Sequence, residues 1–216
     1  MPGHRVAGVV LAAGPGRRMG LSVPKLLLPV RGKPVLTWVL ELVERLPLSE
    51  RVLVLGAHAE EILAALFSFP DRNPPPPLRE EMVGVRGNMV WRILWNPDWP
   101  EGMASSLRRA VKFVPTGMLV FLGDMPFVPE EAALAVLARA GEEPVAPSFR
   151  GQRGFPVYLP PSLRPALLNL KGDVGARDLL GHCLLVPWDD PGVVRDVDRP
   201  EDLGGEVWRG CGPFPR

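Results

Sequence analysis

Residues 6–13 contain no charged or polar side chain, and they lead directly into a glycine-rich loop. A valine-rich run of this kind is typical of a parallel strand that is covered on both faces. The run is too short to span a bilayer, and no small-residue cleavage site follows it. We therefore interpret it as a buried strand and not as a signal or membrane segment.

Apolar runs and amphipathic segments then alternate along the chain. Strands are predicted over residues 5–13, 51–55, 90–95, 118–122, 144–146, 155–159 and 184–186. Helices are predicted over residues 34–46, 58–67, 104–113 and 129–140. Strands that alternate with helices over short connections favour an α/β fold with a doubly wound, mostly parallel sheet. We expect one Rossmann-like domain over residues 1–216.

Residues 70–77 interrupt this pattern, because five of these eight residues are proline. Proline lacks the backbone N–H that helices and central strands require, so this stretch is predicted to be a loop. We interpret the whole stretch from there to Met89 as an insertion or an exposed excursion.

Composition excludes several classes of partner. The formal net charge is +1, which gives no global attraction to nucleic acid or to an acidic membrane. The two cysteines, Cys183 and Cys211, form no ligand cluster and suggest a reducing compartment. We therefore expect a cytoplasmic protein that binds neither nucleic acid nor membrane, and any anion site must be local.

The loop at residues 11–20 combines small residues with positive charge. Gly14 and Gly16 let the backbone approach a phosphate closely enough for its N–H groups to bind the anion, and Arg18 adds charge. The spacing is not a Walker loop, and Met19 stands where a dinucleotide fingerprint has its third glycine. The alternative is a surface turn that is rich in glycine.

Lys25 is one of only four lysines and lies between apolar residues. A compact ammonium group suits a triphosphate, which is the role we favour. The alternative is a lysine at a helix edge whose amine extends into solvent.

Asp124 follows the apolar run 118–122, at the carboxyl end of a predicted central strand. Mg²⁺ prefers one or two carboxylates together with phosphate oxygens, so this position suits a metal ligand, although turn aspartates are common. A later acidic segment contains Asp196 and Asp198. Because successive residues of an extended chain face opposite sides, we expect only one of these two to point at the site.

A further candidate is the helix start at Gly102, Ser105 and Ser106. The N-terminus of a helix presents free N–H groups to an anion. Serines at a helix start equally serve as ordinary caps, so both interpretations stay open.

Together these loops resemble the molybdenum cofactor cytidylyltransferases, which are relatives of the guanylyltransferase of the same pathway. The matching segments occur in the family's order and extend from residue 9 to about residue 203. They are residues 11–14, 18–20, 25, 96–99, 102–107, 123–126, 153–156, 171–177, 196–198 and 200–203. A single motif would be weak evidence, whereas this ordered set is specific.

The resemblance implies a nucleotide-binding half at about residues 1–125, an acceptor-binding half at about 126–203 and a tail at 204–216. It implies that the chain is a Mg²⁺-dependent nucleotidyltransferase that binds CTP or GTP and a phosphorylated acceptor, molybdopterin, with contact to a molybdoenzyme or a protein of the cofactor pathway. The implied catalytic residues are Arg18, Lys25 and Asp124, and the implied metal ligands are Asp124 and Asp198. The implied binding residues are Leu11, Ala12, Ala13, Gly14, Gly16, Lys25, Gly102, Ser105, Ser106, Gly172, Asp173 and Arg177.

In the implied reaction, the acceptor's phosphate attacks the α-phosphorus of the nucleotide and expels pyrophosphate. A phosphate monoester is largely ionised near pH 7, since its second pKa is about 6, so no general base is required. The alternatives are a sugar- or polyol-phosphate nucleotidyltransferase, a non-catalytic nucleotide-binding regulator, and an oxidoreductase.

Overall fold

The computed structural model describes residues 5–16, 23–69, 77–170 and 181–203, and these contain eleven strands and five α-helices. The strands are β1 (Val6–Ala12), β2 (Pro29–Val30), β3 (Lys33–Pro34), β4 (Glu50–Leu55), β5 (Glu81–Arg86), β6 (Met89–Trp95), β7 (Gly117–Leu122), β8 (Val145–Phe149), β9 (Gln152–Arg153), β10 (Val157–Leu159) and β11 (Leu184–Pro187). The helices are α1 (Val35–Arg45), α2 (Ala59–Leu66), α3 (Met103–Phe113), α4 (Glu130–Leu137) and α5 (Arg164–Leu168). No helix in these ranges is both long and apolar enough to cross a membrane.

Nine strands form one mixed sheet. Eight of them lie in the order β11-β8-β10-β7-β1-β4-β6-β5, and β9 pairs with β8. The pairs β1–β4, β1–β7, β4–β6 and β8–β11 are parallel, whereas β10 is antiparallel to both β7 and β8. The prediction of a doubly wound, mostly parallel α/β fold is confirmed.

Helices cover both faces of the sheet, which explains the continuous apolar character of β1. All seven residues of β1 are buried. Val6, Val10 and Ala12 belong to the core that packs on α1, α2 and α4, whereas Ala7, Val9 and Leu11 belong to the core that packs on α3 and α5. Because neighbouring residues of a strand face opposite sides, a strand between two helical layers must be apolar throughout.

The parallel pairing brings the loops that follow β1, β4 and β7 to one edge of the sheet. The N–H of Gly123 donates to the carbonyl of Leu11 at 2.9 Å, and the N–H of Ala57 donates to the carbonyl of Ala13 at 3.0 Å. Ligands of open α/β sheets bind outside the carboxyl ends of the strands, so this edge is where a site is expected.

The interpretation of the stretch before Met89 as an excursion is wrong for the part that is described. Residues 81–86 form β5, which pairs antiparallel with β6 and completes that end of the sheet. In the sequence, Gly84 argues against a strand, because glycine in the interior of a strand usually weakens it. A Cβ there would lie 2.6 Å from Ile93 and 3.1 Å from the ring of Phe67, so glycine is needed to let these side chains pack. Residues 70–76 lie outside the described ranges.

Gly154, between β9 and β10, packs closely against the backbone of Val193, and this contact can be tested. A Cβ on Gly154 would lie 2.2 Å from the carbonyl oxygen of Val193, and that same oxygen accepts a hydrogen bond from Phe155 at 2.7 Å. We expect Gly154→Ala to lower the free energy of unfolding by about 2 kcal/mol or more, because backbone must move to admit the methyl group.

The measurement is chemical denaturation followed by circular dichroism. Gly141→Ala is the matched control, since the nearest atom to its added Cβ is 3.9 Å away. Equal stability of the two variants would contradict the close approach of Gly154 to Val193.

Candidate active site

The loop after β1 lies against Lys25. Gly16 has a φ of +59°, and a Cβ there would lie 2.7 Å from the Cβ of Lys25. Both the left-handed conformation and the close contact require glycine at this position. Arg18, which was predicted to act beside this loop, lies outside the described residues, so its role stays a prediction.

The ammonium group of Lys25 binds two carboxylates that come from distant parts of the chain. Its Nζ donates to Oδ2 of Asp124 at 2.6 Å and to Oδ1 of Asp198 at 3.0 Å. Only 10% of the Lys25 side chain is exposed. The alternative of an amine that extends into solvent is therefore wrong.

These contacts change the acidity of Lys25. Burial disfavours the charged amine and lowers its pKa, but the attraction and hydrogen bonds of Asp124 and Asp198 outweigh burial, so the pKa is raised above its ordinary value. The amine therefore carries a positive charge at neutral pH.

Three aspartates form an acidic cluster around this amine. Carboxylate oxygens of Asp124, Asp196 and Asp198 lie within 4.8 Å of one another. The N–H of Val197 donates to the carbonyl of Asp124 at 2.9 Å, which holds the two segments together. The expectation that only one of Asp196 and Asp198 faces the site is wrong, because residues two apart on an extended chain lie on the same side.

Burial and the neighbouring negative charges both affect the acidity of the cluster. Partial burial of its carboxyl group raises the pKa of Asp196, although the residue as a whole is exposed, and the negative charges of Asp198 and Asp124 raise it further. Within the part of the chain that the structure describes, the three carboxylates of the cluster outnumber the one ammonium group that is hydrogen-bonded to them. Clustered carboxylate oxygens are the donors that Mg²⁺ and similar hard cations prefer, so these residues fit a divalent metal.

Asp202 positions the segment that carries Asp198. Oδ2 of Asp202 accepts hydrogen bonds from the N–H of Asp198 at 3.0 Å and from the N–H of Arg199 at 2.8 Å. An aspartate that binds backbone N–H groups in this way fixes a local turn. Asp202 therefore supports the segment that carries Asp198 and is not one of the three clustered carboxylates.

A cavity of about 240 Å³ opens beside Lys25 and Asp124. Its lining residues come from the ends of β1 and β7, the loop after β1, the short turns at residues 25–27 and 99–101, and the start of α3. They are Leu11, Ala12, Ala13, Gly14, Pro15, Gly16, Lys25, Leu26, Trp99, Gly102, Met103, Ser106, Leu122 and Asp124. Eight of the predicted binding residues thus meet in one place, with Asp124.

Ser105 and Ser106 have different surroundings although they are adjacent. Nδ2 of Asn96 donates to Oγ of Ser105 at 2.9 Å and to Oγ of Ser106 at 3.1 Å. Ser105 also donates to the carbonyl of Gly102 at 2.8 Å and is not among the cavity-lining residues. Ser105 therefore supports the start of α3, and Ser106 reaches the cavity wall.

Several lining or supporting residues were not predicted as site residues. Trp99 and Met103 line the cavity, and the buried Asn96 organises the two serines. An apolar side chain at a ligand site has the same sequence signature as one in a core, so only the position of Trp99 within the matching motif could have indicated it. The predicted residues Gly172, Asp173 and Arg177 lie outside the described ranges and stay predictions.

The Asn96 hydrogen bonds provide a test of this wall. We expect Asn96→Ala to lower the free energy of unfolding by about 1–3 kcal/mol, because two buried hydroxyl groups lose their partner. Nucleotide affinity should fall as well, since Ser106 shifts. Calorimetric unfolding and titration calorimetry measure the two effects. Asn169→Ala, which removes an exposed hydrogen bond to Pro165, is the control, and an equal loss in both variants would contradict the role of Asn96.

Known proteins resemble this chain over most of its length. Residues 8–186 match the family described as the MobA-like NTP transferase domain. Nicotine blue oxidoreductase of Paenarthrobacter nicotinovorans is 32% identical over 218 residues, covering 92% of this chain and 94% of that protein. Purine catabolism protein PucB of Bacillus subtilis (strain 168) is 31% identical over 206 residues, covering 90% of this chain and 92% of that protein.

Solved structures share the fold. The crystal structure of Rv0371c from Mycobacterium tuberculosis H37Rv superposes with a TM-score of 0.72 and 25% identity, covering 92% of this chain and 95% of that one. The manganese complex of the same protein has a TM-score of 0.68 and 24% identity over the same shares of the two chains. The family resemblance is confirmed: this chain belongs to the MobA-like NTP transferase family, and it is a nucleotidyltransferase.

Proposed function

We propose that this enzyme transfers a nucleoside monophosphate from CTP or GTP to the phosphate of molybdopterin, with release of pyrophosphate. The observation that carries the proposal is the placement of Lys25 and Asp124. Both line the cavity beside the loop after β1, and the ammonium group of Lys25 binds Asp124, which belongs to the acidic cluster. Phosphoryl-type transfer needs little covalent chemistry from the protein and depends on positioning and charge, which these groups supply.

The cavity is suited to the nucleotide. The backbone of Gly14 and Gly16 can approach phosphate oxygens because neither residue has a side chain in the way. Gly102 directly precedes α3 with a φ of +98° and lines the cavity, and its lack of a side chain lets the ligand approach its backbone. The ring of Trp99 and the hydroxyl of Ser106 offer an apolar surface and a hydrogen bond to the nucleoside.

Asp124, Asp196 and Asp198 would hold the metal, for which we propose Mg²⁺. The clustered oxygens fit a hard divalent cation, and the manganese complex of the mycobacterial structure supports a divalent cation on this fold. When bound, the cation neutralises charge on the phosphate oxygens.

The chain's own groups account for the remaining requirements. Lys25 would offset negative charge that develops on the pyrophosphate. Neither His58 nor His182, the histidines that the structure describes, lines the cavity. The acceptor phosphate is already ionised near neutral pH, so attack requires orientation and not proton removal.

The identity of the acceptor rests on the ordered motifs rather than on the cavity. Residues 171–177, including Gly172, Asp173 and Arg177, would bind the acceptor, and residues 126–203 would form that half of the site. An acceptor screen tests this assignment. Pyrophosphate release with molybdopterin supports it, whereas release with sugar or polyol phosphates alone supports the alternative transferase.

One comparison favours a second candidate function. The relative from Paenarthrobacter is named an oxidoreductase and is 32% identical to this chain. Oxidation of NADH or NADPH coupled to reduction of an added two-electron acceptor dye, without any pyrophosphate release from an NTP, would support that candidate and contradict the transferase.

The proposed nucleotide site can be tested by ligand-induced thermal stabilisation. We expect CTP or GTP to raise the melting temperature only when Mg²⁺ is present. At one hundred times its dissociation constant a ligand stabilises by about 2.7 kcal/mol, which corresponds to roughly 5–10 °C for a domain of this size. Differential scanning fluorimetry with CTP, GTP, UTP and ATP, each with and without Mg²⁺, measures it. The absence of a shift with all four would contradict the nucleotide site.

Removal of one carboxylate charge tests the role of Asp124 in the reaction. We expect Asp124→Asn to reduce pyrophosphate release by a factor of about 10² or more, because the cation and Lys25 lose a shared ligand. The free energy of unfolding should fall by only about 1–2 kcal/mol, since the amide still accepts a hydrogen bond from Lys25 and only the negative charge is lost. Asp189→Asn, at an exposed aspartate outside the cavity, is the control. Proportionate loss of stability and activity would assign Asp124 a structural role instead.

A further inference from the structure

Lys25 binds the same two carboxylates that the cation would use. Its Nζ lies 2.6 Å from an oxygen of Asp124 and 3.0 Å from an oxygen of Asp198. The three aspartate oxygens of the cluster lie within 4.8 Å of one another, so the amine and the cluster share one small volume. Lys25 also lines the cavity assigned to the nucleotide.

We propose that Lys25 and the divalent cation are alternative partners of Asp124 and Asp198, so that the cation binds tightly only when the triphosphate takes over the ammonium group. This inference rests on the proposed nucleotide site. Lys25 would then couple the binding of the cation to that of the nucleotide, in addition to offsetting negative charge on the pyrophosphate.

Geometry opposes simultaneous binding to the same oxygens. Mg²⁺ lies about 2.0–2.1 Å from its oxygen ligands and demands near-octahedral geometry. A cation at that distance from the oxygens that Lys25 contacts would lie within a few ångströms of a second positive charge. In a partly buried site this repulsion is much stronger than it is in bulk water.

The lysine can change partners without a change of fold. A Cβ on Gly16 would lie 2.7 Å from the Cβ of Lys25, so the loop after β1 packs against the base of the side chain. The adjacent Leu26 is buried and anchors the turn Lys25–Leu27. The base is therefore held in place, whereas the four-carbon stem lets the ammonium group turn from the carboxylates to the cavity.

Electrostatic attraction stabilises Lys25 both when it binds the aspartates and when it binds the triphosphate. Three neighbouring carboxylates repel one another, and the ammonium group offsets part of that repulsion. A triphosphate offers the ammonium group at least as much negative charge as the aspartates do. The exchange leaves the carboxylates to the cation and the lysine to the nucleotide. Since coupling between two ligands is reciprocal, the cation must also raise the affinity for the nucleotide.

The test is titration of MgCl₂ into nucleotide-free protein at one fixed pH, with wild type and Lys25→Met compared. Methionine keeps an unbranched apolar stem and removes the charge. We expect the variant to bind Mg²⁺ at least about tenfold more tightly, the scale of one charge-assisted hydrogen bond. Equal or weaker binding would show that lysine and cation bind side by side, and it would overturn the proposal.

Thermal unfolding gives a readout that does not depend on activity. In a chelating buffer we expect Lys25→Met to melt below the wild type, because the carboxylates lose their counter-charge. Mg²⁺ alone should then raise its melting temperature more than that of the wild type. A response to Mg²⁺ that is equal in the two proteins would contradict the exchange.

Two further variants keep the test decisive. Lys33→Met removes another lysine, which pairs with Glu41 away from the cluster, and should behave as the wild type. If Lys25→Met does not fold, Lys25→Gln keeps a hydrogen-bond donor without the charge and carries the same expectation. These cation measurements use no nucleotide, so they test only the competition between Lys25 and Mg²⁺. Failure of the nucleotide screen would instead overturn the proposed function.

Discussion

The parallel pairing of β1 with both β4 and β7 is the constraint on which the candidate site depends. It places the carboxyl ends of three strands side by side, and backbone hydrogen bonds from Gly123 to Leu11 and from Ala57 to Ala13 hold the following loops together. The cavity forms where these loops leave the sheet. The register of β1 is matched residue by residue to both neighbours, with Val6 opposite Gly117 and Ala12 opposite Leu55, so the strand ends and the loops that follow them are fixed relative to one another.

Electrostatics then joins parts of the chain that are remote in sequence. Lys25 lies 99 residues from Asp124 and 173 residues from Asp198, yet one ammonium group binds both carboxylates. Asp202 fixes the turn that presents Asp198, and Val197 binds the backbone of Asp124. The resulting cluster has more negative than positive charge. This imbalance accounts for its suitability for a divalent cation and for the importance of Lys25 as an internal counter-charge.

Most central strands could be predicted because burial on both faces of the sheet requires continuous apolar runs. Most helices could be predicted because each one packs only one face on the sheet and is therefore amphipathic. β5 could not be predicted, because Gly84 breaks the strand pattern and is needed only where Phe67 and Ile93 pack against it. The two aspartates near the end of the chain were assigned to opposite sides, but their spacing of two places them on the same side. Asn96 and Trp99 were absent from the predicted site, because the residue type alone does not distinguish an asparagine or tryptophan beside a ligand cavity from one in the protein core.

By itself, the amino-acid sequence determined the α/β class and the family, and it identified the glycine-rich loop, Lys25, Asp124 and Asp198 as candidates for the site. Local composition and the order of short motifs contain that information, because backbone freedom, strand burial and side-chain charge belong to individual positions. Only the tertiary structure decided that Lys25 binds Asp124 and Asp198, that Asp196 joins them, and that Ser106 but not Ser105 lines the cavity. Those facts depend on distances between residues far apart in the chain, and these distances are set by strand pairing and packing.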